Sequence, residues 1–246
     1  GTVLLKNENN ALPLSKDETQ KLSLLGFSSY YPVQGGDMGS SLNENKGTDA
    51  DTVDFVEALD AKGFKINENL QKLYKSLEAD FKTEVNMWGN IMEYYHITAP
   101  ATDGVDASQD LNQTDPLGLS DDERDLINAA VEAKENNGGK VIVMLNNANA
   151  MEIDEIKNND GVDAIMEIGF PGGYGFYGVA DILSGEANPS GHLTDTYAVT
   201  NANSPAAQNF GNYEWTNADP SVNINAEEVE AEDIYTGYKY YETRYA

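Results

Sequence analysis

The residues of this chain whose types and spacing could do chemistry are most concentrated at Gly173-Tyr174-Gly175-Phe176-Tyr177-Gly178, a G-x-G-x-x-G pattern set between an apolar run and a helix-like run. A dinucleotide site uses such glycines to bring bare backbone against a pyrophosphate, with an acid about 20 residues further on for the ribose. Asp195 stands at roughly that spacing. Two features oppose this reading. The fingerprint belongs in the first strand-to-helix turn of that fold, and here it follows at least two other strand-like runs. Its intervening residues are bulky rings that would crowd a pyrophosphate. The pattern fits better as a tight turn lining a pocket at the carboxyl end of a strand.

Other chemistries are narrower still. The chain has no cysteine, which excludes disulfides and Cys-based zinc sites, and only two histidines, His96 and His192, which excludes a His-rich metal site. No G-x-S-x-G nucleophile elbow is present. Asn188-Pro189-Ser190-Gly191 reads as a chain reversal, with proline fixing one φ and glycine allowing another.

The elements that must position these residues alternate. Lys21–Phe27 is a compact strand candidate followed by a glycine-rich loop. The run from Asp51 to Gly63 reads as a helix with a glycine stop. Leu70, Leu73, Tyr74, Leu77 and Phe81 share one face of a second helix, with Asn67 as its N-cap. Ser120 and Glu123 form a capping box ahead of a helix whose buried stripe is Leu126, Ile127, Ala130 and Val131, ending at Gly138 and Gly139. Lys140–Leu145 is an uninterrupted buried strand and Val162–Phe170 another buried strand, each followed by a helical run. Continuous apolar strands alternating with helices predict a mostly parallel sheet covered on both faces. The acidic run Ala226–Asp233 reads as a solvated loop.

The 246 residues suffice for one large domain. Fifteen Lys and Arg against 42 Asp and Glu give a net charge of −27. A surface this acidic repels phosphate backbones and anionic lipid, so neither nucleic acid nor a membrane is an expected partner. No run of about 18 apolar residues appears. The first residues, GTVLLKNENNALPL, read as mid-protein sequence.

Taken in order, GTVLLKNENNALPL, KLSLLGFSSYYPVQGG, KVIVMLNNANAMEI, GFPGGYGFYGVADILSGEANPSGHLTDTY and IYTGYKYYETRY resemble the α/β sandwich domain of glycoside hydrolase family 3, the β-glucosidase-type enzymes. The most specific part is Gly169–Thr196. Asn209–Asp219 resembles the subgroup in which this domain precedes the barrel. The resemblance implies a three-layer α/β/α sandwich with a mostly parallel, about six-stranded sheet. It implies a single sandwich domain over residues 1–246, with 84–119 as an atypical loop-rich segment and 197–233 as an extended loop region.

In that family a TIM-type barrel supplies an aspartate nucleophile, and the sandwich domain supplies loops around the sugar and, in many members, a glutamate general acid/base. Retaining hydrolysis uses two carboxyl groups about 5–5.5 Å apart. The resemblance thus implies a β-linked glucoside or oligosaccharide substrate, a barrel domain of the same enzyme as partner, and no metal or organic cofactor. The chain is expected to be inactive alone, because about 250 residues of barrel do not fit beside this sandwich. The best match to the acid/base loop is Ile97–Asp106, which puts Asp103 where the glutamate stands and Ala99 where an arginine is common. An aspartate carboxyl is one methylene shorter, and the other reading of Asp103 is a turn residue beside Gly104.

Ligands of such sheets gather at the carboxyl ends of the strands. That edge is expected at Gln34–Met38, Asn146–Asn149 and Phe170–Tyr174, which makes Asp37, Met38, Asn147, Phe170 and Tyr174 the candidate sugar contacts. Aromatic faces suit sugar C–H surfaces, and amides suit hydroxyls. The competing reading is a non-catalytic, stand-alone carbohydrate-binding or structural module, which the short Glu84–Asp106 region favours.

Overall fold

The computed structural model describes residues 1–15, 21–32, 34, 52–77, 117–147, 149–208 and 232–245. Three strands form one sheet in the order β1-β3-β2: β1 (Val3–Asn7), β2 (Ile142–Leu145) and β3 (Ala164–Glu167). β2 and β3 run parallel, with Ile142 opposite Ala164 and Leu145 opposite Glu167. β1 runs antiparallel along the other side of β3, with Val3 opposite Glu167 and a register slip between Leu4 and Lys6. The described residues therefore carry three strands of mixed direction, where the sequence predicts about six, mostly parallel. An antiparallel edge strand on an otherwise parallel sheet is a common departure, because no crossover helix fixes its direction.

All four residues of β3 are buried, as a strand covered on both faces requires. On one face, Ala164 and Met166 meet α1 (Phe55–Ala61) and α5 (Gly175–Ser184) through Phe55, Leu59, Phe176 and Val179. The Phe55 and Phe176 rings lie 5.7 Å apart. On the other face, Ile165 meets Val141, Ile156 and Val162, with Ile127, Ala130 and Val131 of α3 (Asp121–Asn137) packed against them. Ile156 belongs to the short α4 (Asp154–Lys157). With helices on both faces, the architecture is α/β.

Local signals set the helix ends. Ser120 Oγ accepts from the Glu123 amide at 3.3 Å, and the Ser120 amide donates to Glu123 Oε2 at 2.7 Å, the reciprocal capping box the sequence predicts. Asp54 caps α1 by accepting from the Glu57 amide. Asn67 caps α2 (Glu68–Ser76) by accepting from Asn69. Gly185 ends α5 at φ +78°, the left-handed conformation that glycine adopts without strain, with Pro13 packed 2.9 Å from where a Cβ would sit.

Two expectations are corrected. Lys21–Phe27 is reduced to an isolated parallel bridge between Leu22 and Ile66, because Gly26 at φ +87° turns the chain into a 3₁₀ turn at Phe27–Ser29. The apolar face of α2 is not core: no α2 residue is buried, and Leu73 is 51 % exposed. The helix is anchored at one point, where Tyr74 stacks 5.0 Å from Tyr30 and its hydroxyl accepts from the Gly26 amide. Phe81 and nearly all of 84–119 lie outside the described residues. Within 197–233, a 3₁₀ turn at Asn201–Asn203 and α6 (Pro205–Gln208) are described, and 209–231 are not. The last element is α7 (Tyr238–Tyr245). No described helix is long and apolar enough to cross a membrane.

The α2 correction is testable. Leu73→Ala is expected to cost less than about 0.5 kcal/mol in denaturant unfolding, as exposed positions do, and Leu59→Ala, wholly buried, about 2–5 kcal/mol. Equal losses would return Leu73 to the core.

Candidate functional site

β2 and β3 stop at the same level, at Leu145 and Glu167. The chain beyond each strand meets the other at once. The Ile168 amide donates to the Leu145 carbonyl at 2.9 Å, and Asn146 Nδ2 donates to the Gly169 carbonyl at 2.6 Å. Gly169 sits at φ +57°. This residue turns the strand into the loop that carries Phe170 and Tyr174, and a side chain there would be strained.

Glu167 closes the other side of that turn. Its Oε1 accepts from the Gly169 amide at 2.8 Å, and its Oε2 accepts from the Tyr197 hydroxyl at 3.3 Å. Glu167 is 9 % exposed, and among the described residues no cation pairs with it. Burial pushes its carboxyl up to about 7, while the Gly169 and Tyr197 hydrogen bonds pull the other way. The Tyr197 phenol is raised above its ordinary value, first by burial and then by the Glu167 charge.

The predicted loops converge here in part. The Gly172 amide donates to the Gln34 carbonyl at 2.6 Å, and the Val53 amide donates to the Gly173 carbonyl at 2.8 Å. Gln34 is buried, its Nε2 donating to the Val53 carbonyl. Gln34, Asn146 and the Phe170–Tyr174 loop thus share one edge. Phe170 is half-buried and Tyr174 is 61 % exposed, so both can meet a ligand. Asn147 differs from expectation: it is 5 % exposed, and neither atom of its amide has a hydrogen-bond partner among the described residues. Asp37, Met38 and Asp103 lie outside the described residues.

Sequence reasoning passed over Glu167 and Tyr197, and placed Asn146 at the edge without a role. Glu167 is one of two acids in VDAIMEIGF, with Asp163, and nothing in the run itself sets it apart as a site residue. The glycine fingerprint, for its part, is a packing device. Gly175 opens α5 where a Cβ would stand 2.7 Å from the Pro171 Cβ, whereas one at Gly178 would meet nothing within 4 Å. Phe176 between them is core. Among the described residues no group of His, Cys, Asp and Glu could hold a metal ion.

A sequence profile described as "Glycosyl hydrolase family 3 C-terminal domain" matches residues 2–240. The chain is 27 % identical to thermostable beta-glucosidase B of Acetivibrio thermocellus over 98 % of its own length and 29 % of that protein's. It is 29 % identical to a beta-glucosidase of Ruminococcus albus, covering 99 % of this chain and 25 % of the relative. Among solved structures, beta-glucosidase 3B of Thermotoga neapolitana in complex with glucose superposes with a TM-score of 0.70 at 26 % identity, over 98 % of this chain and 34 % of the other. The chain therefore spans a quarter to a third of the length of these relatives.

The Glu167 environment has a sign. A carboxyl whose folded value rises from 4.5 to about 7 holds its proton longer in the native state than in the unfolded chain. Its favourable contribution is complete below about pH 4.5 and is lost as pH rises through about 7. Glu167→Gln removes that titration. Relative to the parent, the variant is expected to gain on the order of 2 kcal/mol in unfolding free energy between pH 5 and pH 8. A parent-to-variant difference that is flat with pH would contradict the assignment.

Proposed function

We infer the function from one premise: this chain belongs to the glycosyl hydrolase family 3 C-terminal domain family. On that premise its sheet edge is one wall of the sugar cleft of a retaining β-glycosidase of β-glucosidase type. The substrate is a β-linked glucoside or oligosaccharide. The aspartate nucleophile belongs to a TIM-type barrel of the same enzyme. The relatives leave ample length for such a domain, since this chain matches 25–34 % of them.

The observation that carries this reading is the convergence of Gln34, Asn146 and the Phe170–Tyr174 loop beyond the ends of two parallel strands. Crevices of this kind are where ligands of α/β sheets bind. The groups on offer suit a neutral polyhydroxylated ring: the Phe170 and Tyr174 faces for its C–H surfaces, and the unpartnered Asn147 amide for a hydroxyl that reaches it. Asp37 and Met38 are assigned to the same wall. Asp103 is assigned to protonate the leaving group, opposite the barrel carboxylate that attacks the anomeric carbon. The domain alone binds and orients; it does not cleave.

Two experiments test this. Titrating the chain with glucose is expected to move the Phe170 and Tyr174 resonances at millimolar sugar, and a flat response through several hundred millimolar would remove the sugar wall. In the barrel-bearing enzyme, Asp103→Asn should slow substrates with poor leaving groups by about 10²-fold or more, and activated aryl glucosides far less. Equal loss on both would take Asp103 out of the general-acid role.

A further inference from the structure

The proton-sensitive carboxyl, the left-handed glycine and the aromatic loop are connected by direct bonds. Gly169 is gripped on both sides: its amide by Glu167 Oε1 at 2.8 Å, its carbonyl by Asn146 Nδ2 at 2.6 Å. The next residue is Phe170, and the loop is then pinned at Gly172 by Gln34 and at Gly173 by Val53. The backbone of Phe170 is therefore held between two fixed points, the first of them the Gly169 peptide bonded by Glu167 and Asn146. We propose that Glu167 is a positioning residue: with Asn146 it fixes the Gly169 peptide and thereby sets where Phe170 and Tyr174 stand at the sheet edge.

A carboxylate suits the task because it is acceptor-only. It faces two donors, the Gly169 N–H and the Tyr197 O–H, and satisfies both without rearrangement. A glutamine keeps one acceptor and turns the other position into a donor against the Tyr197 hydroxyl. The strands flanking Glu167 bring no titrating partner, since Val3 of β1 and Leu145 of β2 stand opposite it. Among the described residues, the groups that face it are the Gly169 amide and Tyr197, with the charge of Asp195 acting on that phenol. Loss of the Glu167 proton turns a neutral acceptor into an anionic one, which shortens and strengthens the bond to Gly169. The loop is thus held more tightly in the deprotonated state. That this loop faces a sugar rests on the function proposed above; that Glu167 positions it does not.

The test is made on the whole chain without ligand, following the Gly169 amide and the Phe170 and Tyr174 ring resonances from pH 5 to pH 9. In the parent, all three are expected to move together with one midpoint near 7. In Glu167→Gln the movement is lost while the circular dichroism spectrum is kept. Tyr197→Phe removes a hydrogen bond that lowers the carboxyl value, so it is expected to retain the movement with its midpoint shifted upward. Ring resonances that stay still while the Gly169 amide titrates, or that titrate identically in Glu167→Gln, would overturn the proposal. A second arm adds glucose. Its affinity is expected to change several-fold across the same midpoint in the parent and to be independent of pH in Glu167→Gln. If glucose moves nothing while the ligand-free titration behaves as described, the sugar reading fails and the positioning role stands.

Discussion

A strand buried on both faces must dispose of its ends without water, and that constraint organises this molecule. β3 has four buried residues in a row, and its last one is an acid. At the level where the β2–β3 ladder stops, the exposed backbone groups of Ile168 and Gly169 are taken up by the Leu145 carbonyl, the Asn146 amide and the Glu167 carboxyl. Leaving any of them unpaired would cost about 1–3 kcal/mol. The polar groups at this edge are first of all the solution to an end problem, and their chemistry follows from having been placed there.

The two ends of β3 solve it differently. Asp163, just before the strand, is paired with Lys134 of α3 at 2.8 Å and also accepts from the Val141 amide at 2.7 Å. Its backbone carbonyl accepts from the Glu8 amide just after β1, so the ends of β1, β2 and α3 meet at one residue. A buried charge with a cation and an N–H beside it is compensated. Glu167 has hydrogen-bond donors but no cation among the described residues, and a buried carboxyl in that position shifts toward its neutral form. The same strand therefore has an anchored end and a chemically responsive end, four residues apart.

This difference explains what could be read from the sequence. The capping box at Ser120–Glu123, the glycine stop at Gly138 and the runs of β2 and β3 are local, and each is visible because a few adjacent residues decide it. The α2 face misled because 3.6-residue spacing reports amphipathicity, not burial: Leu73 keeps the period and stays half in solvent. Lys21–Phe27 misled because Gly26 turns the chain before a ladder can form. At the site, the loop at Phe170–Tyr174 was legible from strand-turn-helix order. Glu167 was not, since nothing local states that its donors are Gly169, two residues on, and Tyr197, thirty residues on. Asn147 reads as a sugar contact at a strand end and is buried in the fold.

Charge placement carries the argument one step further. With 15 Lys and Arg against 42 Asp and Glu, cations are scarce, and several of the described ones join neighbouring elements. Lys62 joins the end of α1 to Asp181 and Glu186 at the end of α5. Arg124 joins α3 to Glu155 of α4, and Lys6 of β1 donates to the carbonyls of Lys157 and Asn159. Exposed pairs of this kind contribute little to stability singly, but they place positive charge between elements that an acidic surface would otherwise push apart. None of them reaches Glu167. Among the described residues the edge carries amides, a phenol, two aromatic residues and a carboxyl that burial pushes toward its neutral form. Such a surface repels anions. It suits a neutral ring with many hydroxyls, which is the same class of ligand that the strand ends and the aromatic loop select by shape.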